Sequence, residues 1–167
     1  SFLKTNGPVF TNQFSLDSYR EVLFRVPQAI INTFSYSALA IVFMVVAGLL
    51  LSYIVVRRSS RISALLDTLI MIPYVIPGTV LGISFIVAFN KPPIEITGTW
   101  IILVIAYSIR KLPYTMRSST AILYQIDRSV EEASISLGVP PMKTFFKTTA
   151  ILMLPGVLSG AILSWVT

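Results

Sequence analysis

Between Arg25 and Arg57 the chain runs for 31 residues without a formal charge. A bilayer-spanning helix needs only about 20 apolar residues, at ~1.5 Å of rise each. A helix in a soluble core keeps a charged or polar stripe toward water, and this run has no charge to place there. The remainder of the chain follows suit. Apolar residues make up 54% of it and charged residues 12%, against roughly 25% charged in soluble domains. So little polar surface cannot cover a soluble fold. The expected fold class is all-α, a polytopic transmembrane helical bundle.

Charge gaps divide the 167 residues into an external segment (1–28), a first span (29–56), a second (68–89), a third (93–116), a cytoplasmic loop (118–147) and a fourth span (148–167). The chain lacks an initiating methionine and stops within an apolar run, so it reads as one transmembrane domain cut from a longer polypeptide. Arg110 and Lys111 come late in the third span. About 26 Å of helix separates them from Pro93, which lets both snorkel to the far interface. Arg57, Arg58, Arg61, Arg110, Lys111, Arg117, Arg128, Lys143 and Lys147 then share one side of the membrane. Lys4, Arg20, Arg25 and Lys91 share the other. Nine against four puts the first group in the cytoplasm. Ahead of the first span, Leu16, Tyr19, Leu23 and Val26 recur at helical spacing, as in a helix lying along the outer interface.

The 118–147 loop holds a compact polar pattern. Ser129 and Glu132 have capping-box spacing. Gly138 stands where a helix closes in the left-handed conformation. Pro140 and Pro141 suit the first turn of a second helix. A helix, a sharp turn and another helix are expected, projecting from the membrane toward a partner. Inside the spans, Pro73 and Pro77 are expected to bend or break the second one. Gly78 and Gly82, and Gly156 and Gly160 followed by Ser164, have the spacing that lets helix backbones approach closely. A bent helix carrying such glycines makes Pro73, Pro77, Gly78 and Gly82 candidates for lining a translocation path.

Several chemistries are excluded. No phosphate-binding loop occurs, so ATP is not bound that way. There is no histidine or cysteine and no acidic cluster inside a span, so no metal site, cofactor or proton relay is expected. No nucleophile has a base beside it, which argues against an enzyme. The net charge of +6 flanks the apolar runs and forms no basic patch interleaved with aromatics, so nucleic acid is not an expected partner. Asp67, six residues past Arg61, is expected to pair with an arginine.

Glu132-Ala133-Ser134, three residues, then Gly138 resembles the EAA loop of binding-protein-dependent ABC transporter permeases with the MetI-like fold. Asn32-Thr33, Pro73, Pro77 and Lys111-Leu112-Pro113-Tyr114 are similar to the same family, and the resemblance covers about residues 14 to 167. Ser134 replaces the second alanine, and Ile151 stands where the family often has proline, with Leu154-Pro155 coming later. The resemblance implies a permease subunit in the plasma (inner) membrane of a prokaryote. It implies as partners an ATP-binding subunit that hydrolyses ATP, a second permease half and an extracytoplasmic solute-binding protein. It implies a coupling role for Glu131, Glu132, Ala133, Ser134, Gly138 and Pro140. Glu-Glu-Ala-Ser-Ile-Ser-Leu-Gly and Leu-Ser-Gly-Ala-Ile-Leu-Ser-Trp are most similar to ferric-iron permeases. Phosphonate, polyamine, thiamine and sulfate permeases are also similar. The reading outside this class is a fragment of a secondary transporter or channel. Ion-coupled carriers usually hold ionisable groups near the midplane, and the spans as drawn have none.

Overall fold

The charge-free run folds as one unbroken helix, α2 (Pro27–Arg57). The structure, a computed structural model, describes residues 3–6, 9–14, 16–58 and 60–166; the expected end of the fourth span at Thr167 lies outside the described residues. The chain divides into two units, residues 1–36 and 37–167. In the first, strands β1 (Leu3–Asn6) and β2 (Val9–Phe14) pair antiparallel, Asn6 opposite Val9 and Leu3 opposite Phe14. This hairpin was not expected in a chain read as all-α. Helix α1 (Asp17–Arg25) follows, over the stretch where apolar residues recur at helical spacing.

In the second unit, α3 (Arg61–Val75) opens on a capping box, with Ser60 and Ser63 each bonding the other's backbone N–H at 3.2 and 2.9 Å. It gives way to α4 (Gly78–Phe89) across a 106° bend at Ile76-Pro77. The second span is therefore two half-helices instead of the single stretch 68–89. Pro73 lies within α3, and Pro77 marks the break. Helix α5 covers Trp100–Gln125, so 93–99 is not helical and 118–125 belongs to this helix and not to the cytoplasmic loop. After α6 (Arg128–Ser136), a single turn α7 (Pro141–Thr144), a π-helical segment (Phe145–Thr149) and α8 (Ala150–Val166) form one continuous rod. The expected second helix of the loop is the first turn of that rod. Length and apolarity suit α2, the rod 141–166 and, if the bent pair counts as one, α3–α4 to crossing a membrane.

The distribution of side chains is that of a protein solvated by lipid. Val42, Phe43, Val46, Ile83, Val87, Leu158 and Ile162 face outward, each more than half exposed. The interior holds small hydroxyl side chains (Ser52, Ser108, Thr115, Ser119, Thr120, Ser164) around Met44, Met116, Leu123, Met153 and Val157. Burying large apolar groups gains little where the solvent is itself apolar, so close backbone approach and interhelical hydrogen bonds hold the helices together. The α5–α8 seam shows both. Ser118 donates to the Gly156 carbonyl at 2.6 Å, and Ser164 donates to the Gly160 carbonyl at 2.8 Å and lies 3.3 Å from Thr115 Oγ1.

A Cβ built at Gly160 falls 2.6 Å from Thr115 Cα and 3.1 Å from the Tyr114 carbonyl. Gly82, by contrast, has nothing within 4 Å, so the Gly78/Gly82 spacing is not a helix-packing seam within this chain. Gly160→Ala is expected to destabilise the protein by about 1–3 kcal/mol, the usual cost of overpacking, whereas Gly82→Ala should stay within about 0.5 kcal/mol of wild type. Thermal unfolding of the purified protein in detergent checks both. Equal melting temperatures for the two variants would remove the seam from this account.

The packing also corrects the placement of Arg110 and Lys111. Gly48 of α2 meets Thr115, the Cβ it lacks falling 2.8 Å from Thr115 Cγ2, and Val56 meets Leu123 eight residues further along both helices. Helices α2 and α5 thus run in parallel register, and Lys111 stands level with Met44, 13 residues or ~20 Å short of Arg57. Helix α8 agrees, because Ser164 donates to the Lys111 carbonyl at 3.3 Å and lies 17 residues, ~25 Å, beyond Lys147. Both basic residues lie at mid-depth along the bundle, not at its far interface, with Arg110 exposed and Lys111 half-buried, so the description of spans free of ionisable groups does not hold. The basic count without them is seven against four, which leaves the orientation argument unchanged in sign.

Candidate functional site

Helix α6 and the turn after it project from the bundle where α2, α5 and the rod end. Its N-cap is Asp127, whose carboxylate accepts the Ser129 N–H at 2.8 Å. The capping box expected of Ser129 and Glu132 is therefore absent: Ser129 is already the second helical residue, and the stronger Asx-type acceptor two positions earlier takes the free N–H. The hydrogen bonds from Ser129 hold the Asp127 carboxyl below its ordinary pKa. The cap therefore contributes fully above the ordinary carboxylate pKa and is lost as pH falls through the depressed one.

The C-terminus closes as the glycine predicts. Gly138 has φ +84°. Its N–H donates to the Ile135 carbonyl at 2.9 Å, and the Val139 N–H donates to the Ser134 carbonyl at 3.2 Å. This bond pair is the Schellman motif, which requires a left-handed residue at the position of Gly138. Pro140 then serves as N-cap and Pro141 as first residue of the rod. Ser134 and Thr144 hydroxyls lie 2.9 Å apart across the turn and fix the angle between α6 and the rod.

The glutamates divide their work. Glu131 turns inward, accepting from Arg57 Nε at 2.9 Å and from the Tyr53 hydroxyl at 3.2 Å. The side chains of Arg57 and Glu131 are only 10% and 13% exposed. Arg57 also donates to the Ile126 carbonyl at 3.0 Å, and Phe145 packs on Tyr53 with ring centroids 4.5 Å apart. Glu132, Ala133, Gly138 and Pro140 are exposed, and Ser134 is half-buried. Leu137 is 84% exposed and Met142 68%. Between α6, the rod and the end of α2 lies a cavity of about 520 Å³, lined by Arg57, Arg58, Arg128, Glu132, Ile135 and Met142 among others. The surface is apolar at its crest and mixed in charge at its floor, which suits a helix-in-groove contact with another protein. Sequence reasoning missed Arg57 and Tyr53, which carry α6. Nothing local marks them, since they lie more than seventy positions from Glu131.

The other candidates gather at the α3–α4 break. Arg110 reaches from α5 across Gly78, its guanidinium occupying the space where a Cβ would stand. Tyr114 meets Tyr74 edge-on at 5.4 Å, and the Lys111 ammonium lies 5.5 Å from the Tyr114 ring centroid. Pro73, Pro77 and Gly78 belong to this break, and Gly82 does not touch it. Asp67 pairs with Arg117 of α5 at 3.2 Å. Among the described residues no cluster of acidic side chains could hold a metal ion.

Outward-facing apolar helices, a hydroxyl-rich interior and a capped polar helix at one end of the bundle define a helical membrane protein. Residues 44–167 match the family described as binding-protein-dependent transport system inner membrane component, and the chain belongs to that family. It is 41% identical over 138 residues to the ferric transport system permease protein FbpB of Actinobacillus pleuropneumoniae, covering 83% of this chain and 20% of that protein. It is 29% identical over 118 residues to the molybdate/tungstate transport system permease protein WtpB of Pyrococcus abyssi (71% of this chain, 46% of that protein). It is 27% identical over 166 residues to the sulfate transport system permease protein CysT of Escherichia coli K12 (92% and 60%). The chain spans about one fifth of the length of its ferric relative.

Proposed function

We propose that this chain is part of the transmembrane permease of an ABC importer in a prokaryotic plasma membrane. It contributes helices to the translocation path and receives the force of ATP hydrolysis through α6. The observation that carries this reading is the construction of α6: exposed at Glu132, Ala133 and Leu137, and anchored to α2 by a largely buried ion pair. A loop that only connected two spans would need neither feature. The partners are an ATP-binding subunit, which is the enzyme of the system, a second permease half and an extracytoplasmic solute-binding protein. Pro73, Pro77 and Gly78 line the path as the hinge of the broken helix.

Ferric iron is the favoured cargo, supported by 41% identity to a permease named for ferric transport. Phosphonate, polyamine, thiamine and sulfate remain the alternatives, and the similarity to WtpB adds molybdate. The test is ATP-dependent uptake of ⁵⁵Fe(III) by the full-length permease, its ATPase and its binding protein in proteoliposomes. Labelling with an impermeant thiol reagent accompanies it: Ser129→Cys is expected to react only from the ATP side. Reaction from the opposite side would overturn the coupling role. Uptake driven by an ion gradient without ATP would favour a secondary transporter.

A further inference from the structure

The basic residues at the α3–α4 break are not explained by topology or by coupling. Arg110 and Lys111 lie ~20 Å from the Arg57 end of the bundle by the α2 register and ~15 Å along α5 from Trp100. Both distances fall inside a hydrocarbon core ~30 Å thick. Cations at that depth are costly, face the bundle interior or a water-filled space, and mark ion or substrate pathways. Among the described residues Arg110 is in no ion pair; the ion pairs are Arg25–Glu21, Arg57–Glu131 and Arg117–Asp67. Its guanidinium lies against Gly78 at the start of α4. Beneath Tyr74 and Tyr114 opens a cavity of about 460 Å³, with Arg117 at its edge. A second cavity of about 220 Å³ adjoins Lys111, with Tyr107, Ser37 and Ser164 among its walls. The Tyr74 and Tyr114 phenols, the Lys111 ammonium and the Arg110 guanidinium are donors for oxygen anions, and the lining of the two cavities offers no carboxylate to a bare metal ion.

We propose that Arg110 and Lys111, with Tyr74 and Tyr114, form an anion-recognition station at the broken helix, which the cargo passes as an oxyanion or as a metal ion enclosed in anionic oxygen ligands. The inference rests on the reading of this chain as an importer permease and adds the charge of what crosses. A bare trivalent cation would be repelled by Arg110, and the Asp67 carboxylate that could offset it is already paired with Arg117 at the edge of the cavity beneath Tyr74. A planar guanidinium can take two oxygens of one anion, and a lysine at the same site keeps the charge but loses the fork.

Equilibrium binding to the full-length permease–ATPase complex in lipid nanodiscs tests this, using [³⁵S]sulfate, [⁹⁹Mo]molybdate and doubly labelled ⁵⁵Fe(III)–[¹⁴C]citrate as probes. Wild-type complex is expected to retain at least one probe, with affinity falling as salt rises. Arg110→Gln should weaken that binding at least tenfold, and Arg110→Lys should recover part of it, in complexes assembled to equal yield. Retention of ferric citrate should show both labels together. Binding of sulfate or molybdate without ferric citrate would reject iron as cargo and leave the station standing. Iron retained without citrate, no probe held more tightly by wild type than by Arg110→Gln, or failure of Arg110→Lys to exceed Arg110→Gln would each overturn the proposal.

Discussion

Gly138→Val is expected to leave the permease in the membrane and to lower substrate-stimulated ATP hydrolysis by roughly tenfold. A Cβ at this position would meet nothing within 4 Å, so the first added carbon clashes with no neighbour among the described residues. What it costs is conformation. At φ +84° an ordinary L-residue pays roughly 1–2 kcal/mol, and a β-branched one is a more severe outlier. The bundle has many other contacts to hold it. The turn is held by the Gly138 and Val139 backbone hydrogen bonds and the Ser134–Thr144 contact, so it will open before the bundle does. A loss of that size is comparable to the ~1–3 kcal/mol that couples two sites in an allosteric protein. The test has an internal scale. Asparagine enters the left-handed region more easily than alanine, and alanine more easily than valine. Stimulated ATPase activity per permease should therefore be highest with the native glycine and fall through asparagine and alanine to valine. Equal activity across the series would mean that the turn angle is irrelevant to coupling.

How much of this was legible in the sequence depended on whether the signal was local. The helix over Pro27–Arg57 was, because its charge-free run admits little else. So was the closure at Gly138, where residue type and backbone conformation are tied directly. Helix α5 was not. Residues 93–99 are uncharged apart from Glu95, and a loop and a span look alike by charge alone. Arg110 and Lys111 were drawn to an interface because snorkelling is the usual fate of such residues. Their depth follows only from the pairing of Gly48 with Thr115 and of Ser164 with Lys111, which are contacts between distant parts of the chain. Glycine spacing misled for the same reason. Gly156 and Gly160 meet a facing helix and Gly82 meets none, although the interval is identical. The capping of α6 failed locally: Asp127 and Ser129 were both competent caps, and the earlier, stronger acceptor prevailed.

Removing the Glu131 carboxylate should have the largest effect of any single change in the loop. In Glu131→Ala the Arg57 guanidinium loses its partner while remaining largely buried, a change that typically costs about 3–5 kcal/mol. Arg57→Ala strands the carboxylate in the same way and also releases the Ile126 carbonyl. If the two side chains act as one clamp, the double variant should be little worse than either single variant. A coupling energy about as large as either single loss, ~3–5 kcal/mol, would then appear in a double-mutant cycle on thermal unfolding. Replacing the pair by apolar residues, Arg57→Met with Glu131→Leu, should restore much of the melting temperature, since two well-packed apolar groups can substitute for a buried ion pair. Transport separates the two roles of the clamp. If the ion pair only stabilises the fold, the methionine–leucine replacement would rescue transport in full. A pair that holds α6 in register with α2 while the ATPase moves it requires the directed bonds from Arg57 and Tyr53 to Glu131. The apolar replacement should then melt close to wild type and transport at no more than about a tenth of its rate, the tenfold loss expected when ~1.4 kcal/mol of coupling is missing. Glu132→Gln provides the contrast, because that side chain is exposed. It should leave the melting temperature unchanged and weaken only the association with the ATPase. Additive losses in the cycle would show that α6 is held by its packing and not by the ion pair beneath it, and full transport by the apolar replacement would leave the pair a purely stabilising role.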